Sequence, residues 1–213
     1  MAATRGLLEI LRGEETMWAP LPATGPEAAG IARLYGGKYL SRLGATEPEV
    51  RKHLAQARVI HLATHGRYHS GDALLSGLIL TVPAAGDPVT PATDGVLEAG
   101  EVLDPTLSLR AKVVVLSGCE TARGALSRGE GLVGLTRAWQ IAGARSIVAS
   151  QWLVADESTR ALMLAFHRGV QAGLGKDEAM RRAMVELRKT KRWEHPFYWA
   201  PFLLVGDPRA VKE

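Results

Sequence analysis

One thiol is present in the whole chain, and its surroundings decide what it can do. Residues 112–120 read Lys-Val-Val-Val-Leu-Ser-Gly-Cys-Glu, and Cys119 is the single cysteine among 213 residues. Val113, Val114, Val115 and Leu116 form a run too short for a helix and β-branched or aliphatic throughout, the mark of a strand buried on both faces of a parallel sheet. Ser117 and Gly118 break the run, so Cys119 falls just past the carboxyl end of that strand, where α/β sheets collect ligands and reacting groups. A thiol in such a place is a candidate nucleophile, and a nucleophilic thiol works with a base in reach. Residues 58–66, Arg-Val-Ile-His-Leu-Ala-Thr-His-Gly, repeat the construction, with Val59, Ile60, Leu62 and Ala63 leading to His65 and Gly66. An imidazole that takes a proton and a sulfur that attacks are the parts of acyl-transfer chemistry, including peptide hydrolysis through a thioester. Gly66 lets backbone approach a substrate carbonyl closely, and the amides of Gly66 and Cys119 are the candidate oxyanion donors. Such a dyad requires no metal and no organic cofactor.

The other histidines have plainer readings. His61 and His65 are four apart, which along a strand is about 13 Å, so the two rings cannot share one metal ion. The glutamate that follows the first histidine in zinc peptidases is also absent, and His61 reads as a histidine packed within the sheet. His69, His167 and His195 read as loop or helix-surface residues. Residues 129–131, Gly-Glu-Gly, lack the lysine and hydroxyl of a phosphate-binding loop.

The elements that must carry these groups alternate between strand and helix. Pro26 and Glu27 open a helix with Ile31, Leu34 and Tyr35 on one face, stopped by Gly36 and Gly37. A second helix starts at Thr46, where Thr46 and Glu49 have capping-box spacing and Val50 and Leu54 face inward. Residues 67–76 form a polar loop, 78–82 a short strand, 83–95 a surface loop and 97–103 a brief helical turn. After the cysteine, residues 121–131 form a loop; a helix follows with Leu132, Leu135, Trp139 and Ala142 on one stripe, ended by Gly143. Residues 146–150 are a further buried strand. Two helices then run from 156 to about 172 and from 177 to 189, burying Leu162, Phe166 and Val170, then Met180, Ala183, Met184 and Leu187. Asp156 stands where it can cap the first of them. An aromatic turn at 195–199 leads to a last strand at 202–205. This alternation predicts an α/β fold with a mainly parallel central sheet and helices on both faces. The domain is expected over residues 21–208, after an N-terminal extension of residues 1–20 and before a tail of 209–213.

Composition narrows the function classes. A content of 46% hydrophobic and 23% charged residues is ordinary for a globular domain. The net charge of +4 is mild, and the densest basic cluster, residues 188–192, reads as a solvated helix end, so a nucleic-acid partner is not expected. No apolar run approaches the roughly 20 residues that span a bilayer, so no membrane association is expected. A single cysteine excludes an intrachain disulfide and fits a reducing, cytoplasmic compartment.

Taken together, six blocks resemble the CHAT domain, a family of caspase-like and separase-like cysteine peptidases: His65-Gly66 after an apolar run; Leu-Ser-Gly-Cys-Glu-Thr at 116–121; Gly-Glu-Gly at 129–131; Ala-Gly-Ala-Arg-Ser-Ile-Val at 142–148; Gln-Trp-Leu-Val-Ala-Asp at 151–156; and Phe-Tyr-Trp-Ala-Pro-Phe-Leu-Leu-Val-Gly-Asp at 197–207. The likeness runs in order from about residue 21 to residue 207. It implies a caspase-like three-layer sandwich, a catalytic dyad of His65 and Cys119, and an endopeptidase acting on a protein or peptide substrate. It also implies that an acidic residue in the tryptophan-containing loop, here Asp156, lines a pocket for a basic side chain. Glu120 is either part of that pocket and its loop or solvated. Gly118 stands where the family usually has alanine, which is expected to be a mild change. Family domains usually carry a further strand and helix upstream of residue 21, so an edge strand is expected to be missing or supplied by another chain. Members often adjoin helical repeats; this chain has no repeat of about 34 residues, so a helical-repeat regulator is expected as a separate partner. The competing expectation is a catalytically inactive interaction module on the same fold.

Overall fold

Runs of β-branched residues without polar alternation need cover on both faces, and in this protein they have it. The computed structural model describes residues 20–67, 69, 71–82, 84, 86, 88–118, 130–152 and 154–212, with 130–133 described in backbone only. The strands are β1 (Val59–Leu62), β2 (Gly66–Arg67), β3 (Gly77–Ile79), β4 (Val96–Glu98), β5 (Val113–Leu116), β6 (Ser146–Ser150) and β7 (Phe202–Gly206). The helices are α1 (Thr24–Tyr35), α2 (Glu47–Leu54), the single turn α3 (Ala99–Val102), α4 (Glu130–Ile141), α5 (Asp156–Gln171) and α6 (Lys176–Arg188). The main sheet has the order β1-β5-β6-β7, with β1, β5 and β6 parallel and β7 antiparallel to β6. A small antiparallel sheet, β2-β3-β4, is built from the chain that leaves β1.

Strand alternation divides the core. Ile60, Val114, Leu116, Ile147 and Ala149 face a layer made by α2, α4 and the small sheet, with Trp139 and Leu135 at its centre. Val113, Val115, Val148 and Phe202 face the other way, into α1, α5 and α6, against Leu162, Phe166 and Met180. The fold is therefore α/β in three layers, a mostly parallel four-stranded sheet with helices on both sides, as the alternation of elements predicts. Among the described residues no helix is long and apolar enough to cross a membrane.

Four local readings of the sequence are corrected. The segment expected as one helical turn at 97–103 is a strand and then a turn: Val96 and Leu97 are buried and pair with β3, because Asp94 Oδ1 accepts from Val96 N–H and fixes the chain in the sheet. The strand expected at 78–82 spans Gly77–Ile79, with Thr81 forming only an isolated bridge to Thr46. The expected capping box of α2 does not form: Thr46 is extended but its side chain caps nothing, and Glu49 instead accepts from Lys38 Nζ at 2.8 Å and pairs with His53 Nε2 at 3.0 Å. The fourth concerns His167, which is fully buried on α5 rather than at the surface. Gly143 does end α4, at φ 114°, and a Cβ there would run into the Leu109 carbonyl.

The first turn of α2 carries an unexpected group. Glu47 is fully buried, with Arg51 Nη1 3.7 Å away and Glu101 and Asp94 as like-charged neighbours. Burial, then Glu101, pushes its carboxyl up from 4.5 to about 9, so it holds a proton at neutral pH. The folded chain keeps that proton between those two values while the unfolded chain releases it, so this residue's contribution to stability falls as pH rises across that window. Glu47→Gln mimics the protonated form. Its urea midpoint is expected to gain on that of the native chain progressively from pH 5 to pH 9; a constant difference across this range would show Glu47 to be ionised in the fold.

Candidate active site

The strands that precede His65 and Cys119 are neighbours in strict register. β1 lies parallel to β5 with Val59 opposite Val113 and Leu62 opposite Leu116, so His65 and Cys119 each follow their strand's last paired residue by three positions. The pairing continues one step beyond the strands, since Ser117 N–H donates to Leu62 C=O at 2.9 Å. Gly118 then passes so close to the β1 side that a Cβ on it would collide with the Thr64 carbonyl oxygen and lie 3.5 Å from Gly66 N. The Ser150 hydroxyl donates to Gly118 C=O at 3.2 Å from the β6 side. Gly118 therefore rests on the 64–66 segment that carries His65. Cys119 and Glu120 lie outside the described residues, as does most of the 121–131 loop.

His65 is half-buried at the start of the small sheet. Its carbonyl accepts from Ile79 N–H at 2.8 Å, and the Thr64 hydroxyl donates to the Ile79 carbonyl, so the backbone on both sides of the imidazole is anchored to β3. Gly66 stands opposite Leu78 in the antiparallel register. The bond from Ile79 to His65 flanks that pair, which makes it the widely spaced kind whose N–H and C=O groups turn away from the partner strand. The Gly66 amide thus points away from β3, on the side where Gly118 approaches.

Asp156 is the first residue of α5, and the cap position belongs to Ala155. Its carboxylate does cap a helix, but a different one from that expected: Oδ2 accepts from Ala23 N–H at 2.6 Å, and Ala23 is the cap residue of α1. The half-buried Asp156 thereby ties the loop after β6 to the entry of α1. In the same loop Trp152 Nε1 donates to Phe197 C=O at 3.2 Å, joining it to the aromatic turn. His69 and His195 are exposed, and each ring accepts a backbone N–H of its own loop, from Asp72 and Phe197 respectively.

A set of polar residues that the sequence reading kept apart from the site lies directly behind the strand ends. Glu27 of α1, buried to 1% exposure, takes the Ser117 hydroxyl at 2.6 Å and His61 Nε2 at 2.7 Å on the same oxygen. His61 Nδ1 meets His167 Nε2 at 3.2 Å, and His167 Nδ1 meets Tyr35 Oη at 3.1 Å. Burial, with His61 beside it, holds His167 well below the ordinary histidine range, and burial pushes the Tyr35 phenol up to about 12. Spacing offered a signal: Glu27, Ile31 and Tyr35 are four apart on one helix face, and His167 is four from Met163 and three from Val170. A cavity of about 1180 Å³ runs along the outer edge of β1 between α1 and α2; its lining reaches His61 and Thr64 but not His65, so the candidate site is at the rim of the sheet. Among the described residues no group of three His, Cys, Asp or Glu side chains can hold a metal ion.

A mostly parallel α/β sandwich with these blocks at its strand ends defines a class, and comparison with known proteins agrees: residues 9–207 match the CHAT domain, and the chain belongs to that caspase-like peptidase family. It is also similar to tetratricopeptide repeat protein 28 from Mus musculus and from Homo sapiens, each 29% identical over 222 residues covering 90% of this chain. The chain spans only 9% of the length of those relatives.

The close approach at Gly118 makes an alanine there anything but mild in this backbone, contrary to the expectation from the family pattern. Gly118→Ala is expected to lower stability by about 1–3 kcal/mol through overpacking against Thr64, read from urea denaturation. An unchanged midpoint would mean that the two strand ends are not in contact.

Proposed function

We infer that the protein is a cysteine endopeptidase in which His65 and Cys119 form the catalytic dyad. The observation that supports this reading is the packing of Gly118, the residue that precedes Cys119 in sequence, on the 64–66 segment that bears His65. His65 takes the proton of the Cys119 thiol, and the thiolate attacks the scissile carbonyl carbon. The oxyanion of the tetrahedral intermediate accepts from the backbone amides of Gly66 and Cys119; the outward turn of the Gly66 amide supports this role. Collapse of the intermediate breaks the C–N bond, His65 gives its proton to the leaving amine, and a thioester to Cys119 remains. Water deprotonated by His65 then cleaves the thioester, releasing the acid and restoring the thiol.

The substrate is a protein or peptide, and Asp156 favours Arg or Lys before the scissile bond. Its half-buried carboxylate follows β6 at the same end of the sheet at which β1 and β5 stop, which supports a role for negative charge at that rim. The relatives are named for tetratricopeptide repeats, which supports regulation by a helical-repeat unit, on the same polypeptide or on a partner. A single cysteine with no possible intrachain disulfide supports a cytoplasmic setting.

Cys119→Ala is expected to remove peptide turnover and His65→Ala to lower kcat by roughly 100- to 10,000-fold, both with wild-type melting curves; turnover retained in either variant would rule the dyad out. In matched peptides that differ only before the scissile bond, Arg is expected to be cleaved with higher kcat/KM than Asp, and Asp156→Asn to narrow the gap. A preference for Asp would refute the assigned pocket.

A further inference from the structure

The residues between β5 and Cys119 are gripped from three sides. Leu62 C=O accepts the Ser117 N–H, Ser150 donates to the Gly118 carbonyl, and the Ser117 hydroxyl donates to Glu27. The first is an ordinary backbone bond between parallel strands, and the second is a side-chain bond from the end of β6. The third is different, because it draws a carboxyl group from the helical layer into a position with 1% exposure. Burying such a group is unfavourable unless hydrogen bonds compensate it. Here the compensation is organised as a relay. When Glu27 accepts from both of its neighbours, His61 donates through Nε2, which makes its Nδ1 an acceptor for His167 Nε2–H, and His167 Nδ1 accepts the Tyr35 hydroxyl. In that arrangement every hydrogen in the chain points toward Glu27, in keeping with the depressed basicity of the buried His167. The far end is the half-buried Tyr35, and the near end is Ser117, two residues before the cysteine.

We propose that Glu27 is a positioning residue: anchored by the His61–His167–Tyr35 chain, it holds the Ser117 hydroxyl and thereby sets where the turn through Gly118 delivers the Cys119 sulfur relative to His65. The inference rests on the reading of Cys119 as the nucleophile. Ser117 and His61 both point from their strands toward α1, so one carboxylate on that helix reaches β1 and β5 at once. It locks the relative height of the two strand ends on which a sulfur and an imidazole must meet. A displacement of about 1 Å at such a place is enough to slow a reaction roughly 100-fold.

Because Cys119 is the only thiol, its alkylation by iodoacetamide reports on that one sulfur without any substrate. Rates are measured from pH 5.5 to 8.5 on the full chain, with melting curves, for the native protein and for Ser117→Ala, Ser117→Thr, Glu27→Leu and His65→Ala. Ser117→Ala is expected to alkylate about tenfold more slowly at pH 7, and Ser117→Thr, which keeps the hydroxyl, to recover most of that rate. Where the native chain turns over a peptide, kcat falls in Ser117→Ala and KM does not. If Ser117→Ala does not fold, Glu27→Leu, which removes the acceptor instead of the donor, must show the same loss. Native alkylation rates in Ser117→Ala or Glu27→Leu would overturn the inference, whether or not peptides are cleaved. Equal alkylation in His65→Ala and the native chain would instead overturn the dyad, and with it the positioning of the sulfur relative to His65, even if Ser117→Ala were slow.

Discussion

The parallel register of β1 on β5 is the constraint from which the rest of the molecule follows. Side chains alternate across a strand, so a shift of one residue would exchange the two faces of β5 completely. Val113 and Val115 would then meet the layer built for Val114 and Leu116, and all four are fully buried. With both faces committed, the register has no freedom to slide. The same register carries the ends of the strands to a common height, and it lets Gly118 lie on the Thr64 carbonyl without a side chain in the way. Packing chemistry deep in the sheet is thus what aligns the groups at its rim.

The two helical layers treat polar groups in different ways. On the α2 side, Glu47 sits among Glu101, Asp94 and Arg51, and burial resolves the conflict by keeping a proton on the carboxyl. On the α1 side, Glu27 receives two donors, with the His167 ring and Tyr35 in line behind His61. A carboxyl group that only fills space can be neutralised; one that accepts from the strand ends contributes direction as well. That contrast assigns structural meaning to the second cluster and not to the first. It also explains why α1 must enter the fold accurately, and Asp156, by accepting from Ala23, ties that entry to the loop after β6.

The chain belongs to the CHAT family, and it spans only 9% of the length of the tetratricopeptide repeat proteins to which it is similar. The sheet edge at β1 faces the cavity of about 1180 Å³, whose lining includes Ile79 of the small sheet. The rim of the candidate site therefore adjoins two features outside the main sheet. Both depend on where the chain travels after β1.

Much of this was legible in the chain itself. Unbroken aliphatic runs at 113–116 and 146–150 have no stable place except between two layers, so the sheet and its covering helices follow from residue types alone. The apolar stripes of α5 and α6 lie where period and spacing put them, as do Leu135 and Trp139 of α4 and Ala142 just past its end, and His65 and Cys119 stand out because each follows an apolar run. Other features were not legible. Thr46 and Glu49 have the spacing of a cap, yet Lys38 and His53 compete for Glu49. Asp156 has the look of a cap for its own helix, yet it reaches Ala23, 133 positions away in sequence. His167 is not legible as a core residue because only the packing of α5 against α1 and β1 brings His61 and Tyr35 to it. Local pattern determines which segments become strands and helices, since helical apolar stripes and β-branched runs are features of a few neighbouring residues. Partners for buried polar groups come from distant segments, and only the closed tertiary structure decides which of them meet.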